Sequence, residues 1–175
     1  MQPNRFSTPI EDRWFEDFIE GAVYEFGRAQ VTEAEILDFA RRFDPQPMHV
    51  DRQAAEAGMF GGLIASGWHT AGLMMRMFVE HFLPGHASLA SPGIDELRWT
   101  RPVRPGDVLH LRVSVLEATR SRSKPDRGIV RSFIEVLNQE GEVVMSLKPM
   151  NLVRCRPLPF PPPQAGEGWG GGRPA

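Results

Sequence analysis

From residue 68 to residue 83 the chain reads Trp-His-Thr-Ala-Gly-Leu-Met-Met-Arg-Met-Phe-Val-Glu-His-Phe-Leu, then stops at Pro84-Gly85. Trp68, Ala71, Leu73, Met74, Met75, Met77, Phe78, Val79, Phe82 and Leu83 cover most of a helix circumference, and Arg76 and Glu80 form one i,i+4 pair. A helix that is apolar nearly all round has to be buried on most sides. In a domain of this length the simplest cover is a sheet wrapped around it. The methionines at 74, 75 and 77 read as core filler.

The following residues supply such a sheet. Residues 94–100 are strand-like and end at Pro102, and Pro105-Gly106-Asp107 is a turn. Over 108–117, Leu109, Leu111, Val113 and Val115 alternate with His110, Arg112 and Ser114, the period of a half-buried strand. Residues 128–137 alternate more loosely, Asn138-Gln139-Glu140-Gly141 is a hairpin loop, and 142–153 returns. Upstream, 22–31 reads as a strand. Thr32 with Glu35 forms a capping box, and Ile36, Leu37, Phe39, Ala40 and Phe43 recur at helical spacing, so a helix is expected over 33–43. Asp51 caps a short helix through Ala57, closed by Gly58. Helices first and long antiparallel strands afterwards make the fold class α+β rather than alternating α/β.

The chain has 175 residues, the size of one domain. Its net charge of −2 gives no electrostatic reason to expect nucleic acid or a membrane surface as partner. A single cysteine, Cys155, rules out an intrachain disulfide framework and a cysteine-rich zinc site, and it fits a reducing compartment. The first residues lack the apolar run of a signal peptide, and no stretch reaches the roughly 18 apolar residues of a membrane span. A cytoplasmic protein is expected. Residues 157–175 are dominated by proline and glycine and read as a disordered tail, and 1–12 as a loose leading segment, leaving 13–156 as the folded domain.

Between the first two helices lies Asp44-Pro45-Gln46-Pro47-Met48-His49, a carboxylate and an imidazole with two prolines between them. Each proline pushes the residue before it toward extended backbone, so the helix must stop here. A stiff polar loop carrying an acid and a base is one way to build a catalytic site. The same residues also permit a plain reading in which Asp44 ends a helix and His49 is a core histidine. Extended polyproline-like chain would separate the two by about 15 Å, so they can act on one water only if the loop bends back.

Three segments resemble the MaoC-like dehydratases, a family that includes the (R)-specific enoyl-CoA hydratases. Asp44-Pro45-Gln46-Pro47-Met48-His49 is similar to that family's Asp-x-Asn-Pro-x-His motif. Gly62-Leu63-Ile64-Ala65-Ser66-Gly67 resembles the segment entering its central helix, and Arg101-Pro102-Val103-Arg104-Pro105-Gly106-Asp107 its strand–turn–strand. Order and spacing agree over about residues 15–153. The resemblance implies a hot-dog fold, a single domain with an antiparallel sheet around one long helix. It implies a homodimer or higher homo-oligomer with sites near the subunit interface, acting on acyl thioesters of coenzyme A or an acyl carrier protein. It implies no metal and no cofactor beyond the coenzyme A of the substrate. Asp44 and His49 match the family's catalytic pair, which would hold one water and add it across a trans-2-enoyl thioester to give the (R)-3-hydroxyacyl product. A histidine suits the general base because its ordinary pKa is near neutrality. Gly67 matches the oxyanion-binding glycine, where a helix N-terminus can face an enolate; a glycine there can equally serve only to relieve crowding.

Two positions depart from the family. Gln46 stands where Asn is usual, as a candidate to hold the thioester carbonyl with its amide shifted by one methylene. Ser66 stands where His is frequent, as a candidate to bond the substrate or its own backbone, with the backbone bond expected. Other constellations fail: Ser66-Gly67 lacks the earlier glycine of a nucleophile elbow, the glycines at 61, 62 and 67 are not a dinucleotide fingerprint, and His69, His81 and His86 lack metal-ligand spacing. His69, Trp68 and Trp99 read as structural. The rival functions are a hot-dog thioesterase, which would send water to the carbonyl carbon, and a non-catalytic acyl-binding or assembly subunit.

Overall fold

The structure, a computed structural model, describes residues 3–157. Its elements are β1 (Val23–Gln30), α1 (Glu33–Phe43), α2 (Pro47–Val50), α3 (Arg52–Ala57), α4 (Gly67–His81), β2 (Ser88–Trp99), β3 (Val108–Arg120), β4 (Arg127–Leu137) and β5 (Val143–Arg154). The five strands form one antiparallel sheet in the order β1-β3-β4-β5-β2. The alternation in β3 holds: Leu109, Leu111, Val113 and Val115 are fully buried. They join Val130, Ile134 and Val136 of β4, and Met145, Leu147 and Val153 of β5, against Leu73, Met74, Met77 and Phe78 of α4. Each such side chain contributes about 1.5–3 kcal/mol by leaving water. At the bulge in β1, Gly27 has φ +81°, and a Cβ there would lie 2.9 Å from Met77 Sδ. Glycine therefore lets α4 press against the sheet.

Three expectations change. The helix at 67–81 is covered on one face only within a single chain. Trp68, Met75 and Val79 are 60%, 44% and 45% exposed, because the sheet reaches one side and α1 takes only part of the other. The strand expected at 94 begins six residues earlier, at Ser88. Pro92 and Gly93 are tolerated because β2 is an edge strand with repeated register shifts, so fewer ladder bonds are required of it. The leading segment is not loose from Asn4 onward. Phe6 stacks on Tyr24 at 4.0 Å and meets Phe18 and Phe82 edge-on, so an aromatic cluster anchors it. The stretch 157–175 lies, but for Pro157, outside the described residues.

Arg13 closes α4. Its guanidinium is buried and donates from Nη1 to the carbonyls of His81 and Phe82, both at 2.9 Å. A cation there satisfies orphan carbonyls and opposes the negative end of the helix dipole. Among the described residues no helix is long and apolar enough to cross a membrane.

Candidate active site

The site is made where α1 gives way to α2. Thr32 opens α1 with the expected capping box, and Asp44 closes it, donating its N–H to the Ala40 carbonyl at 2.9 Å. Pro45 cannot continue the helix. Gln46 is extended, with ψ 144°, as the residue before a proline should be. Pro47 then acts as the first residue of a helical turn, a position that suits its fixed φ. The turn was not expected from the sequence, and it reverses the chain. It sets His49 Nε2 3.4 Å from Asp44 Oδ2.

Neighbours decide the protonation of this pair. His49 is buried, and its Nδ1 lies 2.9 Å from the Ile64 carbonyl. A carbonyl only accepts, so the bond assigns the neutral ring's proton to Nδ1 and leaves the Nε2 lone pair facing Asp44. Asp44 Oδ1 accepts from Gln46 Nε2 and Oδ2 from Ser66 Oγ, both at 2.7 Å. The Gln46 amide first, and then the Ser66 hydroxyl, hold this carboxyl below the ordinary carboxylate range against the opposing effect of burial. An ionised carboxylate and an imidazole lone pair at 3.4 Å make no good direct hydrogen bond. They are two acceptors at the same edge of the cleft, and a donor with two hydrogens, such as water, can bridge them from the cleft side.

Both departures from the family pattern join this network. The Gln46 amide turns toward Asp44. Ser66 Oγ accepts from the Trp68 N–H at 3.2 Å, the expected backbone bond, but its own proton goes to Asp44. Ser66 is fully buried and caps α4, so one hydroxyl fixes the helix start and the carboxylate together. Gly67 is the first residue of α4. Among the described residues no hydrogen bond uses its N–H, as is usual for the first turn of a helix. Its carbonyl accepts from Trp99 Nε1 at 2.9 Å, and a Cβ on it would lie 2.5 Å from Trp99 Cε2. Crowding therefore explains the glycine, while its N–H remains available.

Asp44, Gln46, His49 and Gly67 line one cleft of about 370 Å³. Met48, Phe60, Ile64, Trp68, Trp99, Arg101 and Val103 also line it. Trp68 and Trp99 meet edge-on at 5.3 Å and wall the cleft, so they are more than the packing residues expected. The 3.6-residue period shows that Trp68 lies on a helix but not which face the sheet leaves open. His69 is apart from the cleft. It is buried, stacks on Phe39 at 5.1 Å, and among the described residues its Nδ1 finds no partner, as a packing histidine can. Burial lowers its pKa, outweighing the pull of Glu35. Among the described residues no three His, Cys, Asp or Glu side chains gather as a metal site.

Known proteins share the fold of this chain. The model of the MaoC like domain matches residues 17–135. The crystal structure of a MaoC-like dehydratase from Rhodospirillum rubrum is 45% identical, covers 83% of this chain and 99% of that one, and superposes with a TM-score of 0.78. The unliganded (R)-hydratase PhaJ1 of Pseudomonas aeruginosa is 26% identical, over 87% of this chain and 96% of that one, with a TM-score of 0.66. A 3-hydroxybutyryl-CoA dehydratase of Methylorubrum extorquens is 27% identical over 135 residues, which is 77% of this chain and 83% of the relative.

Proposed function

The chain belongs to the MaoC-like dehydratase family, with its hot-dog fold, and from that premise we propose that it reversibly hydrates a trans-2-enoyl-CoA to the (R)-3-hydroxyacyl-CoA. The observation that carries the reading is the 3.4 Å approach of His49 Nε2 and Asp44 Oδ2 in a cleft, with Nδ1 tied to Ile64. Relatives named as an (R)-hydratase and as a 3-hydroxybutyryl-CoA dehydratase support it.

In this mechanism one water donates to both His49 Nε2 and Asp44 Oδ2. Nε2 takes a proton as the water oxygen attacks the β-carbon. The pair of electrons moves to the thioester oxygen as an enolate, which the Gly67 N–H and the positive end of the α4 dipole stabilise. Asp44 keeps the water oriented and stabilises the imidazolium; the proton held on Nε2 then passes by way of Asp44 Oδ2 to the α-carbon as the enolate collapses to the thioester, which leaves both side chains as they began. Hydroxyl ends on C3 and hydrogen on C2, with no net change of redox state, so the step calls for no redox cofactor. Gln46 and Ser66 serve by holding Asp44. The exposed Trp68, Met75 and Val79 of α4, together with the open edge of β2, are the surfaces we assign to a second copy of the chain.

The test is incubation with crotonyl-CoA. Loss of the enoyl absorbance without free thiol, with chiral chromatography giving the (R) product, is expected. Thiol release would mean a thioesterase instead. An unchanged spectrum with every enoyl-CoA, short or long, would leave only an acyl-binding role.

A further inference from the structure

We propose that Phe60 determines acyl-chain specificity and that Arg104 is the positioning residue that holds it, so that the site favours short enoyl chains. The proposal rests on the reading of the cleft as an acyl-thioester site.

Phe60 sits in the loop 58–62 that follows α3. The loop is tied to α3 and to itself by backbone bonds, Gly61 N–H to Gly58 C=O at 3.1 Å and Gly62 N–H to Ala55 C=O at 3.0 Å. Gly61 and Gly62 have φ +63° and +152°, conformations that side chains rarely adopt. Met59 is 90% exposed, so it gives the loop no anchor. The tie to the sheet comes from the turn before β3. Arg104 Nη2 donates to the Phe60 carbonyl at 2.6 Å, across 44 positions of sequence. A Cβ on Gly62 would lie 3.3 Å from Arg104 Nη1, so the guanidinium rests against the loop backbone. Among the described residues this guanidinium meets no carboxylate, whereas Arg101 pairs with Glu142. Its hydrogen bonding is spent on the loop carbonyl, while its own N–H is fixed by Asp107 at 2.8 Å.

The clamped loop shapes the cleft. The Phe60 ring is partly buried and shares the lining with Met48, Ile64 and Val103 as well as with Asp44 and His49. These apolar residues come from strands of chain bonded to one another, Ile64 N–H to Met48 C=O and Ala65 N–H to Val103 C=O. They give the acyl tail apolar lining, and Thr100 and Arg101 add polar lining to the same cleft. Within a cleft of about 370 Å³, a phenyl ring held in this lining takes up space that a longer tail would need.

The experiment uses the full chain and its Phe60→Ala, Arg104→Gln and Arg104→Lys variants, with crotonyl-CoA and trans-2-octenoyl-CoA. One methylene in an apolar pocket changes kcat/KM by about tenfold or more. Phe60→Ala should therefore raise the octenoyl-to-crotonyl ratio of kcat/KM at least about tenfold. Arg104→Gln should raise KM far more than it lowers kcat and should relax the same ratio, with Arg104→Lys restoring part of the preference. Binding of butyryl-CoA and octanoyl-CoA by calorimetry reads the wall without turnover. If no variant hydrates any enoyl-CoA, the hydration reading fails and the binding ratio alone decides this proposal. An unchanged ratio in folded Phe60→Ala overturns it, as does wild-type protein that binds neither acyl-CoA. Should Phe60→Ala not fold, Phe60→Leu is read by the same two ratios.

Discussion

Replacing Gly67 by Ala tests the oxyanion assignment and the packing around it together. The added Cβ would lie 2.5, 2.6 and 2.9 Å from Cε2, Nε1 and Cδ2 of the Trp99 ring. Carbon atoms rest at about 3.5–4.0 Å, so the indole has to retreat by about 1 Å. Its N–H, now 2.9 Å from the Gly67 carbonyl, loses that bond. Overpacking costs about 1–3 kcal/mol and the hydrogen bond about 1 kcal/mol. The lower conformational entropy of the unfolded alanine chain returns about 0.5–1 kcal/mol. Trp99 is 45% exposed and can swing outward, which favours the lower end of these ranges. A net loss of about 1–1.5 kcal/mol is expected in urea unfolding. Any part of the clash taken up by the Gly67 backbone instead of the ring moves the N–H off the oxyanion and lowers kcat, toward the roughly 100- to 1,000-fold that loss of one oxyanion donor costs. Adding Trp99→Ala in the same chain removes the clash and should recover stability beyond the sum of the single changes. Wild-type kcat in folded Gly67→Ala, or strict additivity in the double variant, would refute the reasoning.

Ser66→Ala removes an N-cap and a bond to an ionised carboxylate, so stability should fall by about 2–3 kcal/mol, with kcat/KM for crotonyl-CoA at least about tenfold lower; unfolding curves and initial rates read both. For His69 the folded pKa lies below its ordinary 6.5 because of burial. The unfolded chain then binds the extra proton first, so stability falls as pH drops below 6.5 and until the folded pKa is reached, by at most about 1.4 kcal/mol per pH unit. His69→Phe should flatten that part of the stability profile in urea titrations over this range. Arg13→Met should lower stability by about 2 kcal/mol, since two carbonyls at the end of α4 lose their donor, with crotonyl-CoA kinetics nearly unchanged.

The elements that the sequence made legible are those whose signals are local. Thr32 and Glu35 mark the start of α1, and Leu109, Leu111, Val113 and Val115 mark the inner face of β3. Asn138 and Gly141 mark the hairpin, where Asn138 Oδ1 accepts from the N–H of Glu140 and of Glu142. What was not legible depends on tertiary context. Proline stiffens an extended loop and also begins a helix, and only the fold shows that Pro47 does the second. Pro92-Gly93 argues against a strand until β2 is known to be an edge. The pairing of Asp44 with His49 was visible as a motif, but the contact of Ser66 with Asp44 spans 22 positions and leaves no periodic trace. Phe60 and the stretch from Trp99 to Arg101 come to the cleft from separate parts of the chain, which spacing alone cannot bring together.

The most direct measurement is the rate of crotonyl-CoA hydration by wild-type protein beside Asp44→Asn and His49→Ala, each checked for folding by its urea transition. Asn keeps the shape of Asp44 but removes its charge, and Ala removes the base, so each should lose at least about 100-fold in kcat while the fold persists. Folded variants that hydrate crotonyl-CoA at the wild-type rate would show that this pair does not handle the water.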